Sequence, residues 1–176
     1  RNVKTIQDFQ AEADRPDKGG RISRYDDLIR AEAMRHGLDW RLVAALIYQE
    51  SRFYPRAVSS AGAVGLMQVI PRFAGEQADS LFVPGANLRA GLRLLKDTHD
   101  SFAYLDSLER LRFTLAVYHA GYGHVTDARR IAMDLGRDPN EWSGSLDDAL
   151  PRLMQRRWYG ETRHGYYRGG ETVRYV

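Results

Sequence analysis

The chain has 176 residues, with 26 Lys and Arg against 23 Asp and Glu for a net charge of +3, 43% apolar residues and 11% aromatics. That is ample apolar material for the core of one domain, and it excludes a wholly disordered chain. With no cysteine, a disulfide scaffold, a thiolate metal site and a cysteine nucleophile are excluded together, while oxidising and reducing compartments both stay open.

The first 20 residues carry few large apolar side chains and close on Arg15-Pro16-Asp17-Lys18-Gly19-Gly20, which reads as a linker or poorly ordered extension before a domain over 21–176. Ser23 and Asp26 form a capping-box-like start for a helix through Leu28, Ile29 and Met34 that stops at Gly37. Asp39 then caps a second helix whose body, Leu42 to Tyr48, is apolar on every side, so it is expected to be central and bounded by Pro55. Those seven residues are the longest apolar run, well short of the roughly 18 that a membrane span needs. There is no signal peptide and no initiator Met, and the chain is expected to be a piece of a longer precursor.

A loop follows over 56–65, and Pro71 suits the first position of the next helix. Further helices are predicted over 87–102, 107–120 and 124–135, with Gly136 as a stop. Another is predicted to start at Asp138-Pro139, and one more to be capped by Ser145 before Pro151. No stretch alternates at period two, so the fold class is all-α with seven or eight helices.

Charge is placed unevenly. Residues 152–176 hold six Arg and two Glu, a local +4, which leaves the preceding part of the chain at −1. Arg interleaved with Trp158, Tyr159, Tyr166, Tyr167 and Tyr175 suits nucleic acid, but 23 of the 26 basic residues are Arg, so the pattern equally fits a solvated or substrate-facing surface. The latter is favoured, because sugars also stack on aromatics.

Glu50 lies three, four and seven residues after Ile47, Leu46 and Val43, on the same helical face as these aliphatics. Taking a carboxylate from water favours its neutral form and raises its pKa, as a general acid working near neutral pH requires. The alternative is that the helix ends there and the side chain swings to solvent or pairs with Arg52 or Arg56; the helix alone does not choose between them.

The segment from Tyr48 to Gln68 resembles the signature of the family 1 lytic transglycosylases of bacterial cell walls. It has Glu50-Ser51, Ser59 nine residues after the Glu, and Gly62-Ala63-Val64-Gly65-Leu66-Met67-Gln68. Two later blocks agree: Val117-Tyr118-His119-Ala120-Gly121 and Glu171-Thr172-Val173-Arg174-Tyr175-Val176. Gly123-His124-Val125, Asp127-Ala128-Arg129-Arg130 and the run from Gly165 to Thr172 look most like the family's membrane-bound lytic murein transglycosylase F branch. The resemblance spans about Tyr25 to Val176.

It implies a lysozyme-like helical fold with a substrate groove, and cleavage of the β-1,4 bond between N-acetylmuramic acid and N-acetylglucosamine to leave a 1,6-anhydro sugar. It implies no cofactor and a single carboxylate, Glu50, acting first as acid and then as base. By motif match Ser59 and Gln68 hydrogen-bond the sugar or orient the acid, Met67 and Tyr118 line the groove, and Tyr175 bonds the catalytic carboxyl. The ordinary readings stand beside these: Met67 and Tyr118 as core residues, Ser59 as a turn cap, and Gly62, Gly65 and Gly121 as backbone devices.

One departure is His119, where the family usually has Asn; a neutral imidazole offers one donor and one acceptor in a different geometry, so sugar affinity and pH response are expected to differ. The other histidines, 36, 99, 124 and 164, have no paired ligand spacing, and no metal is expected. The expected partner is the peptidoglycan glycan strand, whose carboxylates suit the Arg-rich tail, and not nucleic acid. The alternatives are a muramidase of the same fold, which needs a second carboxylate, and a catalytically weak glycan-binding module. The branch resemblance further implies an N-terminal regulatory domain outside this chain and a periplasmic location with an outer-membrane anchor.

Overall fold

The structure, a computed structural model, describes residues 20–176. The linker expected over residues 1–20 therefore lies outside the described residues, Gly20 excepted. Among the described residues the backbone is helical, with two isolated bridges in one loop and no strand, as the all-α expectation requires. The helices are α1 (Asp26–Arg35), α2 (Trp40–Ser51), α3 (Pro71–Ala74), α4 (Pro84–Ser101), α5 (Ser107–Asp134), α6 (Asp147–Ala149), α7 (Arg156–Tyr159) and α8 (Gly169–Tyr175). The chain divides into two compact units between Leu94 and Leu95.

In the first unit the entry to α1 is organised by Asp26, whose carboxylate accepts from the backbone N–H groups of Ile22 and Ser23 and from the Ser23 hydroxyl. The expected capping box is not formed: the cap position is Tyr25, without a side-chain cap, and Asp26, the first helical residue, binds the chain that leads into the helix and not the helix's own free N–H groups. Asp39 caps α2 by accepting from the Arg41 N–H at 2.8 Å. Ile29 and Ala33 of α1 and Val43, Ala44, Leu46 and Ile47 of α2 are buried where the two helices pack. The apolar run of α2 is not enclosed on every side, however. Ala45 and Tyr48 are exposed, because a helix in a small unit buries one stripe, and a small or amphipathic side chain on the other face costs little. Pro71 opens α3 as predicted, although that helix lasts four residues.

In the second unit the helices predicted over 107–120 and 124–135 are one kinked element, α5, broken at Gly121, whose φ of 82° and ψ of 154° are not helical. Asp106 caps α5 by accepting from the N–H groups of Leu108 and Glu109. Its inner face, Phe113, Ala116, Val125, Ala128 and Ile131, joins Leu146, Leu150 and Leu153 in one buried cluster. Full burial of each large aliphatic or aromatic side chain contributes about 1.5–3 kcal/mol.

Two predicted helix starts fail here. Asp138-Pro139 makes a turn instead: the Asp138 side chain accepts from the Asn140 N–H and its carbonyl from the Glu141 N–H, while the Arg129 guanidinium donates to the Pro139 carbonyl and the Asn140 side chain. Ser145 caps no helix, because its hydroxyl donates to the Asp138 carbonyl of that turn; α6 begins at Asp147 without a side-chain cap. In both cases a contact between segments overrides the local capping signal.

Candidate active site

Glu50 sits partly buried in the last turn of α2. The next residue anchors that turn. Ser51 is buried, and its hydroxyl lies 2.7 Å from the carbonyl of Leu66 and 3.2 Å from that of Ile47, so it ties the helix end to the loop that carries the Gly-Leu-Met-Gln run. Past Ser51 the chain turns through two successive left-handed residues, Arg52 (φ 52°) and Phe53 (φ 60°). Such conformations are unfavourable for side-chain-bearing residues and persist where the surroundings impose them. Phe53 is buried, and the Arg52 guanidinium lies 3.8 Å from the centre of the Tyr48 ring.

Gln68 has the remaining positive φ (49°) among the described non-glycine residues, so all three flank the Glu50 turn or close its loop. The Gln68 amide nitrogen donates to the carbonyls of Gly65 (3.0 Å) and Ala57 (3.3 Å), bracing the loop from inside. Ser59 accepts from the Ala63 N–H at 3.0 Å and turns the chain there, which is the bland role foreseen for it. Val64 exchanges both backbone hydrogen bonds with Val69.

Asn87, in the first turn of α4, holds the same loop and was not singled out by its sequence. It is fully buried; its oxygen accepts from the Met67 N–H at 2.8 Å and its nitrogen donates to the carbonyls of Val64 (2.8 Å) and Leu81 (2.9 Å). Gly65 (φ 79°) is required beside it, since a Cβ there would lie 2.2 Å from the Asn87 amide nitrogen. Met67 departs from the groove-lining expectation: its side chain is wholly buried, and a Cβ on Gly91 would meet its sulfur at 2.6 Å. It packs in the core because its backbone is pinned to Asn87.

The second unit, taken by itself, holds the other residues that the sequence singles out. Tyr118 and His119 lie one turn before the Gly121 kink, both partly buried. His119 Nδ1 lies 2.9 Å from the Thr172 hydroxyl and 3.2 Å from that of Tyr167, which are themselves 2.7 Å apart. The His119 ring packs on that of Tyr175, with centroids 4.4 Å apart, so the structure brings these two expected residues together on α5 and α8. Burial holds the His119 pKa below its ordinary value, partly offset by the Glu171 carboxylate. Burial raises that of Tyr167, against its bond to Thr172. The imidazole is therefore neutral at neutral pH, and Nδ1 is committed to the two hydroxyls. Thr172 carries no signal by type, only its place in the C-terminal motif block, whereas Tyr167 is one of the tail aromatics that the sequence marks for stacking.

Compared with known protein families, residues 27–140 match the family described as Transglycosylase SLT domain. The chain belongs to this family. It is 45% identical over 158 residues to a membrane-bound lytic murein transglycosylase F of Desulfosudis oleivorans, an alignment covering 89% of this chain and 35% of the relative. The corresponding protein of Stutzerimonas stutzeri is 41% identical over 158 residues, covering 89% of this chain and 32% of that one. The chain thus spans about a third of the length of these relatives. Among solved structures, an inactive mutant of lytic transglycosylase Slt from Pseudomonas aeruginosa superposes with a TM-score of 0.60 at 24% identity, covering 86% of this chain and 22% of that one. The SLT domain assignment agrees with the lysozyme-like, all-helical fold expected from the motifs.

Proposed function

We propose that this SLT domain cleaves the β-1,4 bond between N-acetylmuramic acid and N-acetylglucosamine in peptidoglycan, leaving 1,6-anhydro-muramyl ends. The observation that carries the reading is Glu50 itself: a carboxyl group in the last turn of α2, followed by a buried serine anchor and a strained, internally braced loop, in a chain of this family. Glu50 donates its proton to the glycosidic oxygen as the bond to C1 breaks. The substrate's N-acetyl group stabilises the positive charge. The Glu50 carboxylate then takes the proton of the C6 hydroxyl as O6 bonds to C1. No water is consumed, and one carboxylate serves where hydrolytic glycosidases use two. Attack from within the same sugar carries the rate advantage of proximity.

In the same proposal Ser59 and Gln68 keep the loop in shape and offer their remaining polar atoms to the sugar, and Tyr118, His119 and Tyr175 contact the glycan. Arg156, Arg157, Arg163 and Arg174 have no carboxylate partner within ion-pair distance among the described residues, and they would meet the carboxylates of the glycan's lactyl and peptide groups. No described helix is long and apolar enough to cross a membrane. A periplasmic, membrane-associated whole protein with a further, regulatory domain completes this reading; the relatives are named membrane-bound and are about three times as long as the aligned segment.

The test is digestion of purified peptidoglycan followed by mass spectrometry. Anhydro-muramyl ends, one water lighter than hydrolysed ends, are expected; hydrolysed ends would indicate a muramidase, and no product a binding module. Glu50→Gln with full activity would overturn the mechanism.

A further inference from the structure

The second unit holds a cluster that the proposed reaction does not use. Asp127 on α5 is 4% exposed, and its carboxylate accepts three hydrogen bonds from one short stretch of chain: the Arg163 N–H (3.3 Å), the His164 N–H (2.9 Å) and His164 Nδ1 (3.1 Å). A buried carboxylate is costly unless it is bonded in this way. The stretch it holds, between α7 and α8, has no helix of its own. α5 adds two further seats for it. Gly123 leaves room for the His164 ring, since a Cβ there would lie 2.6 Å from it. One residue on, the His124 ring stacks on Tyr167 with centroids 4.3 Å apart and planes 15° apart. Tyr167, seated there, reaches His119 and Thr172, and His119 packs on Tyr175.

We propose that Asp127 is a positioning residue: by pinning 163–164 to α5 it sets Tyr167, and through Tyr167 the orientation of His119 and Tyr175 toward the glycan. The proposal rests on the reading of His119 and Tyr175 as glycan contacts and asks nothing of Asp127 in the chemical step. No atom of Asp127 touches substrate; its influence passes through His164, the backbone that follows it, and then Tyr167, His119 and Tyr175.

The test compares Asp127→Ala, Asp127→Asn, His164→Gln and, as a stability control, Asp106→Ala, which removes the N-cap of the same helix. The readouts are kcat and KM on soluble glycan fragments and amide hydrogen exchange. Asp127→Ala is expected to raise KM about tenfold with little change in kcat, below the ~100-fold cost of misplacing reacting groups themselves. Exchange is expected to quicken over 163–175. Asp127→Asn keeps an oxygen to accept from His164 and should recover most of the loss. His164→Gln alters an exposed ring, so it folds even if Asp127→Ala does not, and should raise KM less. Unchanged exchange overturns the clamp. So does a KM that stays native while exchange quickens, or one that rises no more than in Asp106→Ala. Failure of the underlying reading shows separately, as native KM in His119→Ala or full activity in Glu50→Gln.

Discussion

The Ser51 hydroxyl lies 2.7 Å from the Leu66 carbonyl, joining the residue after Glu50 to the loop fifteen positions on. Both groups are buried, so removing the donor leaves the carbonyl unsatisfied and costs about 1–3 kcal/mol. Ser51→Ala is therefore expected to lower Tm by several degrees and also kcat, because the turn that aims Glu50 loosens. Thermal denaturation alongside peptidoglycan-release rates checks this; native kcat would show that Glu50 is aimed without it.

Asn87 makes three hydrogen bonds in the interior, all to the backbone of other segments. Asn87→Ala strands several of their partners and is expected to destabilise the first unit by roughly 2–5 kcal/mol. Gly65→Ala should be comparably damaging, since it introduces both a collision and a side chain at φ 79°. Urea denaturation measures both losses. Because the two act on one contact, the double variant should lose less than the sum.

His119 gives a pH dependence with a definite sign. Its folded-state pKa lies below the ordinary 6.5, chiefly through burial. Between the two values the unfolded chain binds more protons, so stability is fully present above about pH 6.5 and falls as pH drops toward the folded pKa. An asparagine side chain cannot titrate, so His119→Asn is expected to flatten part of the Tm loss between neutral and mildly acidic pH. His99 and His124, also lowered by burial, contribute in the same direction. The same substitution should alter the acid limb of the cleavage profile; superimposable profiles would remove His119 from the site.

Arg156 and Arg157 are exposed on α7 without a carboxylate partner among the described residues. Replacing both with Gln is expected to weaken retention on insoluble peptidoglycan and to flatten its dependence on ionic strength, with kcat on short glycans unchanged, because exposed charges act through screened, long-range attraction. Cosedimentation across a salt series checks this.

Much of the fold was legible from local patterns. The Asp39 cap and the break at Gly121 came out as read, because caps and helix stops depend on residues within a turn of one another. Glu50 stands out as the candidate acid because its helical face and its spacing to Ser59 and Gln68 are properties of the chain alone.

What only the tertiary structure decided is everything set by distant partners. Asn87 binds positions 20 and 23 residues away, Asp127 binds a segment 36 and 37 residues on, and His119 bonds Tyr167 and Thr172 at separations of 48 and 53. A bond to a carbonyl seven residues back makes Ser145 a brace and not a cap, and the bond to Asn87 accompanies the burial of Met67 in the core. Local periodicity and capping act over three or four residues, and so they specify helices. Which polar side chain is buried, and against what, depends on the hydrogen bonds available where segments meet, and that meeting has no signature in either segment by itself.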